Sequence, residues 1–557
     1  MSLVTIQSLS FTYPGSSTQA LSDINLSLAP GEYIAVVGAN GSGKSTLIRC
    51  LNGLLVPPPG TVCVDGFDPA EPSGRVGARK AMSVVFQSPS DQIVASIVEE
   101  DVAFGLENLG VPYDEMHSRV DGALGAVDLL AERHRSPRFL SSGQQQRLAV
   151  AGALAMRPRV VAFDEATSMI DPNGRAAILG LMDNLVSSGI TVIHVTHDMD
   201  EAARAQRIVV LSEGRLVFTG TPERLFASRD LDGYRLELPR SYDAALKLGL
   251  EPHAGEDAAG LGKRAARACG MDVLAMISRL EPAASPADGS PAGVTAFSVR
   301  DASMSYSAET AGGRPAVQRA SIEIPAGTLV ALVGKTGAGK SSLLQLLDAL
   351  AIPDSGSVVS LGNTTSDRSA DLRSLRMRAP LAVQRPESAI FEAYVGDEVA
   401  FGPRNQGIRG AGLVERVEAA LDAVGLPFQT YRDVLTRTLS GGMKRRLALA
   451  SILSLDPEAL LLDEPTAALD PATRRDVLSL IQSYARQGRT VVMSTHSMDE
   501  AALADMVIVM REGAIAASGA PDTVFGDAWD ESWGIGRPFS WTMAGAAKDE
   551  LNMEAVR

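Results

Sequence analysis

Cysteine is scarce in this 557-residue chain: Cys50, Cys63 and Cys269 are odd in number and far apart. That excludes a disulfide framework and any zinc-type spacing, and it fits a reducing compartment with three small apolar side chains. Long apolar runs are missing too. No stretch approaches the roughly 18–20 uninterrupted apolar residues that a membrane-spanning helix needs. The opening MSLVTIQSLSFTYPG has no charged leader ahead of an apolar core and does not read as a signal peptide. If the protein acts at a membrane, other chains supply the spanning part. Basic charge is also short: 51 Lys and Arg against 66 Asp and Glu give a net charge of −15. That balance argues against a DNA or RNA partner, because phosphate binding needs a basic face. With 45% hydrophobic and 21% charged residues the composition is globular, and the length exceeds what one core holds, so several domains are expected.

What is present is written twice. GANGSGKST begins at Gly38 and GKTGAGKSS at Gly334, 296 residues later. LSSGQQQR begins at Leu140 and LSGGMKRR at Leu439, 299 residues later. The acids of FDEATSMIDP and LDEPTAALDP start at Asp164 and Asp463, and the histidines of VTHDMDEAA and STHSMDEAA are His197 and His496, again 299 apart. Ordered motifs at a near-constant offset mean two homologous domains, placed at 1–230 and 295–525. The segment 231–294 reads as a linker with a short strand or turn, a helix and then an Ala/Pro/Ser-rich tether at 281–293. Residues 526–557 hold all three tryptophans and have no assigned role.

Each copy carries the same chemistry. YIAVVGANGSGKSTLIRCL is an apolar strand, a glycine turn and a helix, the context a GxxxxGK[ST] match requires. Gly38, Asn40, Gly41 and Gly43 let backbone N–H groups converge on phosphates at the positive end of the helix that Lys44, Ser45 and Thr46 open. Lys44 would reach the β- and γ-phosphates and Ser45 would hold Mg²⁺. Gly334, Thr336, Gly337, Gly339, Lys340, Ser341 and Ser342 repeat the arrangement. VVAFDE and ALLLDE are buried-strand patterns ending in two carboxylates. Asp164 and Asp463 are placed to hold Mg²⁺ through its water shell, and Glu165 and Glu464 to polarise the water that attacks the γ-phosphorus. His197 and His496 follow apolar strands 32–33 residues after the acid pairs and point to γ-phosphate contact. Ser141, Ser142, Gly143 and Gln144, and likewise Ser440, Gly441, Gly442 and Met443, form a turn opening a helix, a second kind of anion site. Lys444-Arg445-Arg446 reads as one flank of that helix, with Leu447 onward facing inward.

In this order the motifs resemble the ATP-binding cassette (ABC) ATPases over nearly all of both halves. The resemblance implies an α/β fold of two tandem P-loop NTPase domains, each with a RecA-like core, an antiparallel β subdomain and a helical signature subdomain. It implies ATP and Mg²⁺ as ligands and head-to-tail pairing of the two cassettes. Lys44, Asp164, Glu165 and His197 would then share a site with Ser440, Gly441 and Gly442. Lys340, Asp463, Glu464 and His496 would share one with Ser141, Ser142 and Gly143. Tyr13 and Tyr306 match the aromatic that stacks on adenine. Gln87 and Gln384 match the glutamine that senses Mg²⁺ and the attacking water, and Asp171 and Asp470 match the turn acid that communicates across the pair. Two departures stand out: Ser142 replaces a glycine and Met443 a glutamine.

FQSPSDQIVASIVEEDVAFG (86–105) and VQRPESAIFEAYVGDEVAFG (383–402) resemble the surface of energy-coupling factor (ECF) ATPases that receives membrane subunits. The resemblance implies a peripheral protein at the cytoplasmic face of the membrane, driving vitamin or metal uptake with a transmembrane scaffold (T) subunit and a substrate-binding (S) subunit. Asp91, Glu99, Glu100 and Asp101, and Glu387, Glu392, Asp397 and Glu398, would accept scaffold arginines. About half of these carboxylates are expected instead to be solvated or to cap the following helix. Two other classes fit the repeat: the ATPase of a sugar-type importer, and a soluble tandem ATPase acting on ribosomes or DNA. The linker has no long charged helix, and the total charge is acidic, which weighs against the latter.

Overall fold

In a computed structural model, the described residues are 2–16, 18–168, 170, 172–228, 230–280, 294–306, 315–367, 369–467, 469–526 and 528–556. Of Ser90, Ser142, Pro172, Asn173, Glu387 and residues 554–556 only the backbone is described. Asp171 and the tether 281–293 therefore lie outside the described residues, as do the side chains of Ser142 and Glu387. The chain divides into two compact units, Met1–Asp257 with Asp470–Ala472, and Ala258–Leu469 with Thr473–Arg557.

The first unit is built on a six-stranded sheet in the order Met82–Val85, Val160–Asp164, Thr191–Val195, Tyr33–Val37, Arg207–Ser212 and Arg215–Gly220. The first five run parallel, and Arg215–Gly220 is antiparallel at the edge. The apolar runs that compose it alternate between two cores. Tyr33, Ala35 and Val37 face a core shared with helices Val98–Asn108 and Ser142–Ala155. Ile34 and Val36 face a core shared with the phosphate-loop helix and a three-stranded antiparallel sheet, Gln19–Leu28, Val4–Thr12 and Val62–Val64. A sheet covered on both faces has no polar side to show, which is why VVAFD and YIAVV read as unbroken apolar runs.

The second unit repeats this plan. Its six strands are Leu381–Ala382, Ala459–Asp463, Thr490–Ser494, Leu329–Val333, Met506–Arg511 and Ala514–Gly519. Its antiparallel sheet is Val317–Pro325, Thr295–Met304, Ser355–Ser360 and Asn363–Thr364. Helices Val395–Asn405, Gly410–Ala423 and Gly441–Leu453 form the helical part.

The repeat continues past the motifs. Helices Arg240–Lys247 and Phe539–Val556 begin 299 residues apart. Each is entered through an aspartate: the Arg240 N–H donates to Asp200 at 2.9 Å, and the Phe539 N–H to Asp499 at 2.6 Å. In the second unit, helix Ala258–Cys269 packs on Phe539–Val556 through Leu261, Gly262, Ala265 and Ala266. Arg267 meets Glu550 there at 2.8 Å. Trp533 is buried in the second unit's core, and Trp529 and Trp541 are partly buried against it.

Candidate functional site

In a parallel sheet the loops at the carboxyl ends of the strands meet in one crevice. Strand register brings the sequence motifs to that edge: Val36 pairs with Val195, and Val195 with Asp164. The glycine turn between Tyr33–Val37 and helix Lys44–Leu51 follows immediately. Gly38 has φ +145°, and a Cβ there would sit 2.1 Å from the Leu211 carbonyl oxygen, so no other residue fits. Gly43 ends the turn at φ +103° with no side-chain cap, which leaves the first N–H groups of the helix aimed into the loop. Lys44 lies across the loop, Nζ donating to the carbonyls of Gly38 (2.8 Å) and Ala39 (3.0 Å). Burial pushes its ammonium below the ordinary lysine value, opposed by the Glu165 and Asp164 carboxylates. Lys340 repeats these bonds to Gly334 and Lys335 at 2.8 and 3.2 Å. Tyr13 and Tyr306 are tied to the same helices: the Tyr13 hydroxyl is 3.1 Å from Thr46 Oγ1, and the Tyr306 hydroxyl is 3.2 Å from Ser342 and 2.7 Å from Gln345. Both rings remain exposed.

The acids sit where their strands end. Ser45 Oγ donates to Asp164 at 2.9 Å, joining the phosphate loop to the acid strand. This pair of hard oxygens fits a cation such as Mg²⁺ that keeps most of its waters. Among the described residues no group of three or more His, Cys, Asp or Glu forms a metal cage. Burial raises the Asp164 pKa. Glu165 and Glu464 both adopt left-handed backbone, φ +53° and +50°, a conformation non-glycine residues hold only where the surroundings enforce it.

Around each glutamate the same two side chains gather, a glutamine and a histidine. Gln87 Nε2 donates to Glu165 at 2.8 Å, and His197 Nδ1 lies 3.6 Å from its other oxygen. Gln384 Nε2 donates to Glu464 at 2.8 Å, and His496 Nε2 lies 2.7 Å from its other oxygen. Burial works against ionising Glu165, but His197 and Lys44 outweigh it and its pKa falls. Burial likewise opposes the His197 imidazolium, and Glu165 outweighs it, raising that pKa. For Glu464 the balance has the same sign, with His496 overcoming burial.

The two copies differ around this set. Ser494 Oγ donates to Asp463 at 2.5 Å and accepts the Glu464 N–H at 3.0 Å. Val195 occupies that position in the first copy, and the Glu165 N–H bonds to its carbonyl. Arg445 donates to the carbonyls of Glu464, Ala467 and Gln384, whereas Gln146 donates to that of Phe86. Ser494 opens STHSMDEAA and Arg445 lies in LSGGMKRR, yet neither motif announces the bonds these side chains make. Only alignment of the repeats at an offset of 299 exposes the Val195/Ser494 and Gln146/Arg445 exchanges.

Within each unit, the signature residues make no hydrogen bond to that unit's own glutamate cluster among the described residues. Ser141 and Gln144 form a reciprocal capping box on helix Ser142–Ala155. Ser440 accepts the Met443 N–H at 3.3 Å, but Met443 has no amide oxygen of the kind that Gln144 offers to the Ser141 N–H. That is the local consequence of the Gln-to-Met departure.

Half of the acidic segment is consumed internally. Glu99 pairs with Arg133 at 2.8 Å and with His134 at 2.9 Å. Asp101 accepts the N–H groups of Val94 and Ala95, and buried Glu398 accepts those of Phe391 and Glu392. Asp397 pairs with Arg404. Asp91 and Glu100 are exposed.

The family profile described as ABC transporter matches residues 21–168 and 317–467. An ABC transporter ATP-binding protein of Bifidobacterium longum is 33% identical over 536 residues, 93% of this chain and 66% of its own length. One from Methanosarcina mazei is 33% identical over 94% of this chain and 90% of its own. The energy-coupling factor transporter ATP-binding protein EcfA1 of Symbiobacterium thermophilum is 50% identical over 231 residues, 41% of this chain and 80% of that protein. The two phosphate loops, the duplicated sheets and these matches make the chain a member of the ABC transporter family, an ATPase with two ATP-binding cassettes in one polypeptide.

Proposed function

We propose that this chain is the energy-coupling ATPase of an ECF-type importer. On this reading it works at the cytoplasmic face of the membrane with a scaffold and a substrate-binding membrane subunit, and takes up a vitamin or metal ion. One observation carries the catalytic part: a glutamate held by a glutamine on one oxygen and facing a histidine with the other, beside a lysine-bearing phosphate loop, built twice. The likeness of residues 86–105 to ECF ATPases and the 50% identity to EcfA1 over 41% of this chain support the transporter class.

In this reading the cassettes pair head to tail, and each ATP lies between the phosphate loop of one and the signature turn of the other. Lys44 and Lys340 bind phosphate, Tyr13 and Tyr306 stack on adenine, and Glu165 and Glu464 polarise the attacking water. Gln87 and Gln384 orient that carboxylate and the water, and His197 and His496 hold the γ-phosphate. Ser45 with Asp164, and Ser341 with Asp463, would hold Mg²⁺, which when bound screens the phosphate charge. ATP contacts both cassettes only when they are closed, so binding and hydrolysis bias opening and closing and move the membrane subunits seated on them. No helix among the described residues is long and apolar enough to cross a membrane, so the reading needs separate membrane chains.

The test is copurification of the tagged full-length chain from its native membrane together with ATPase assays of Glu165→Gln and Glu464→Gln. Recovery of a small multi-helix scaffold and a second, substrate-loaded membrane protein is expected. Recovery with ribosomes or DNA and no membrane partner overturns the transporter class. Unequal loss of turnover from the two variants is expected from the Ser142 and Met443 departures; equal loss counts against asymmetric sites.

A further inference from the structure

One buried carboxylate recurs behind each candidate site without being part of it. Glu201 Oε2 accepts two hydroxyls, Thr167 Oγ1 at 2.9 Å and Thr196 Oγ1 at 2.7 Å. Thr167 lies two residues after Glu165, and Thr196 immediately precedes His197. The other oxygen, Oε1, meets Arg175 Nε at 2.6 Å. In the second copy Glu500 Oε2 accepts Thr466 Oγ1 at 2.9 Å and Thr495 Oγ1 at 2.5 Å, and Oε1 accepts Arg474 Nε at 2.7 Å. Again the threonines flank the acid and the histidine, Glu464 and His496. Both glutamates are 2% exposed.

An ionised carboxylate this deeply buried is costly unless every oxygen is matched, and here each oxygen is. Burial opposes ionisation of Glu201, and the Arg175 charge outweighs it together with His194, whose Nε2 lies 3.3 Å from Oε2. The two threonines ride on the turns that follow neighbouring parallel strands, Val160–Asp164 and Thr191–Val195, with Ala459–Asp463 and Thr490–Ser494 as counterparts. Thr196 Oγ1 also accepts the Asp198 N–H, and Thr495 Oγ1 the Ser497 N–H, both at 3.0 Å, so each hydroxyl is fixed in direction. A single oxygen bonded to both turns sets their separation, and with it the approach of the histidine to the catalytic glutamate.

We propose that Glu201 and Glu500 are positioning residues that latch the acid-bearing turn to the histidine-bearing turn in each cassette. This rests on the catalytic reading above. The latch acts on turnover more than on nucleotide affinity, because it sets the turns that carry Glu165 and His197 and does not touch the phosphate loop that carries Lys44. The arginine leg, from helices Pro172–Ser187 and Pro471–Arg486, carries the charge balance.

The experiment uses the full-length chain carrying Glu165→Gln, so that only the second site turns over. Thr466→Val with Thr495→Val removes both hydroxyl donors at nearly constant volume and leaves the Glu500–Arg474 pair. Thr466→Ser with Thr495→Ser keeps the donors. The valine pair is expected to lower kcat by about tenfold or more, as misplacement of catalytic groups does, with ATP affinity within about twofold of the parent. The serine pair should keep kcat within about twofold. A valine pair with parental kcat overturns the latch. So does a serine pair that falls as far as the valine pair, or ATP affinity that falls in step with kcat. Thr167→Val with Thr196→Val in a Glu464→Gln chain is the independent replicate should the first valine pair lower the melting temperature enough to obscure the result. If Glu165→Gln plus Glu464→Gln still hydrolyses ATP, the catalytic reading itself is wrong, an outcome separate from failure of the latch.

Discussion

Ser494 donates its hydroxyl to Asp463 at 2.5 Å, a bond for which the first cassette offers only Val195. The same hydroxyl accepts the buried N–H of Glu464, so one side chain fixes both acids of the second site. Replacing it by valine removes a donor to a carboxylate and an acceptor for an N–H. Each such loss costs roughly 1–3 kcal/mol when the group left behind is buried. For Ser494→Val, read in a Glu165→Gln chain, second-site turnover should fall several-fold and the Mg²⁺ concentration for half-maximal rate should rise. Ser494→Thr should restore both. Mg²⁺ titrations of the three proteins check this; an unchanged Mg²⁺ requirement in the valine variant is the contrary result.

Asp348 closes the second phosphate-loop helix and is 6% exposed. Its Oδ1 has no hydrogen-bond partner among the described residues. The matching position of the first copy is Asn52, whose amide donates to the Met82 carbonyl at 2.7 Å. Burial pushes the Asp348 pKa up to about 7, with Arg376 only partly opposing it. An unfolded aspartate titrates near 3.9, so between these values the folded state binds more protons than the unfolded one, and stability falls as pH rises. The loss should begin near pH 4, continue to about pH 7 and then level off. Its size is bounded at about 4 kcal/mol by the pKa difference. Asp348→Asn, which copies the first cassette, should flatten this slope and stabilise the second unit at pH 8. Denaturant midpoints at pH 5 and pH 8 for both proteins test it, and parallel slopes would count against it.

At Gly262 helix Ala258–Cys269 lies close against helix Phe539–Val556, and an added Cβ there would stand 2.2 Å from the Met543 carbonyl oxygen. The obstacle is backbone, so it moves only if the helices part. Gly262→Ala gains helix propensity of about 1 kcal/mol but should lose more through overpacking, typically 1–3 kcal/mol. Net destabilisation with loss of protection in both helices is expected by hydrogen exchange.

The phosphate loops were legible because their requirement is local: Gly38 and Gly334 need positive φ and no Cβ, and the flanking strand and helix have their own periodicity. Strand-end acids and histidines were legible as residue types. Their convergence was not, since Gln87, Glu165 and His197 are 78 and 32 residues apart and only sheet order decides whether they meet. Ser494 and Arg445 fall inside quoted motifs, but their bonds are not legible there because hydroxyl and guanidinium bonds to backbone have no spacing rule. Helices Arg240–Lys247 and Phe539–Val556 share the 299-residue offset, yet apart from Pro239/Pro538 and the following Ser241/Ser540 little sequence likeness marks it. The aspartates that cap their first N–H groups, Asp200 and Asp499, sit 40 residues upstream.

The acidic segment separates into carboxylates that build the cassette and carboxylates that stay exposed. Reversing Glu99 or Asp101 would break the Arg133 pair or uncap the Val94–Ala95 turn, and lost assembly would then report misfolding. Exposed Asp91 and Glu100 are the discriminating pair. Asp91→Lys with Glu100→Lys should leave melting temperature and ATP affinity unchanged, because surface substitutions shift stability by about 0.5 kcal/mol or less. If scaffold arginines dock on this segment, the double variant places like charges against them and copurification of the membrane subunits should drop at least tenfold, recovering in part at high salt, where exposed charges are screened. Undiminished copurification would remove these two carboxylates from the docking surface and leave the apolar neighbours Val94 and Phe104, both exposed, as the part of the segment to change next.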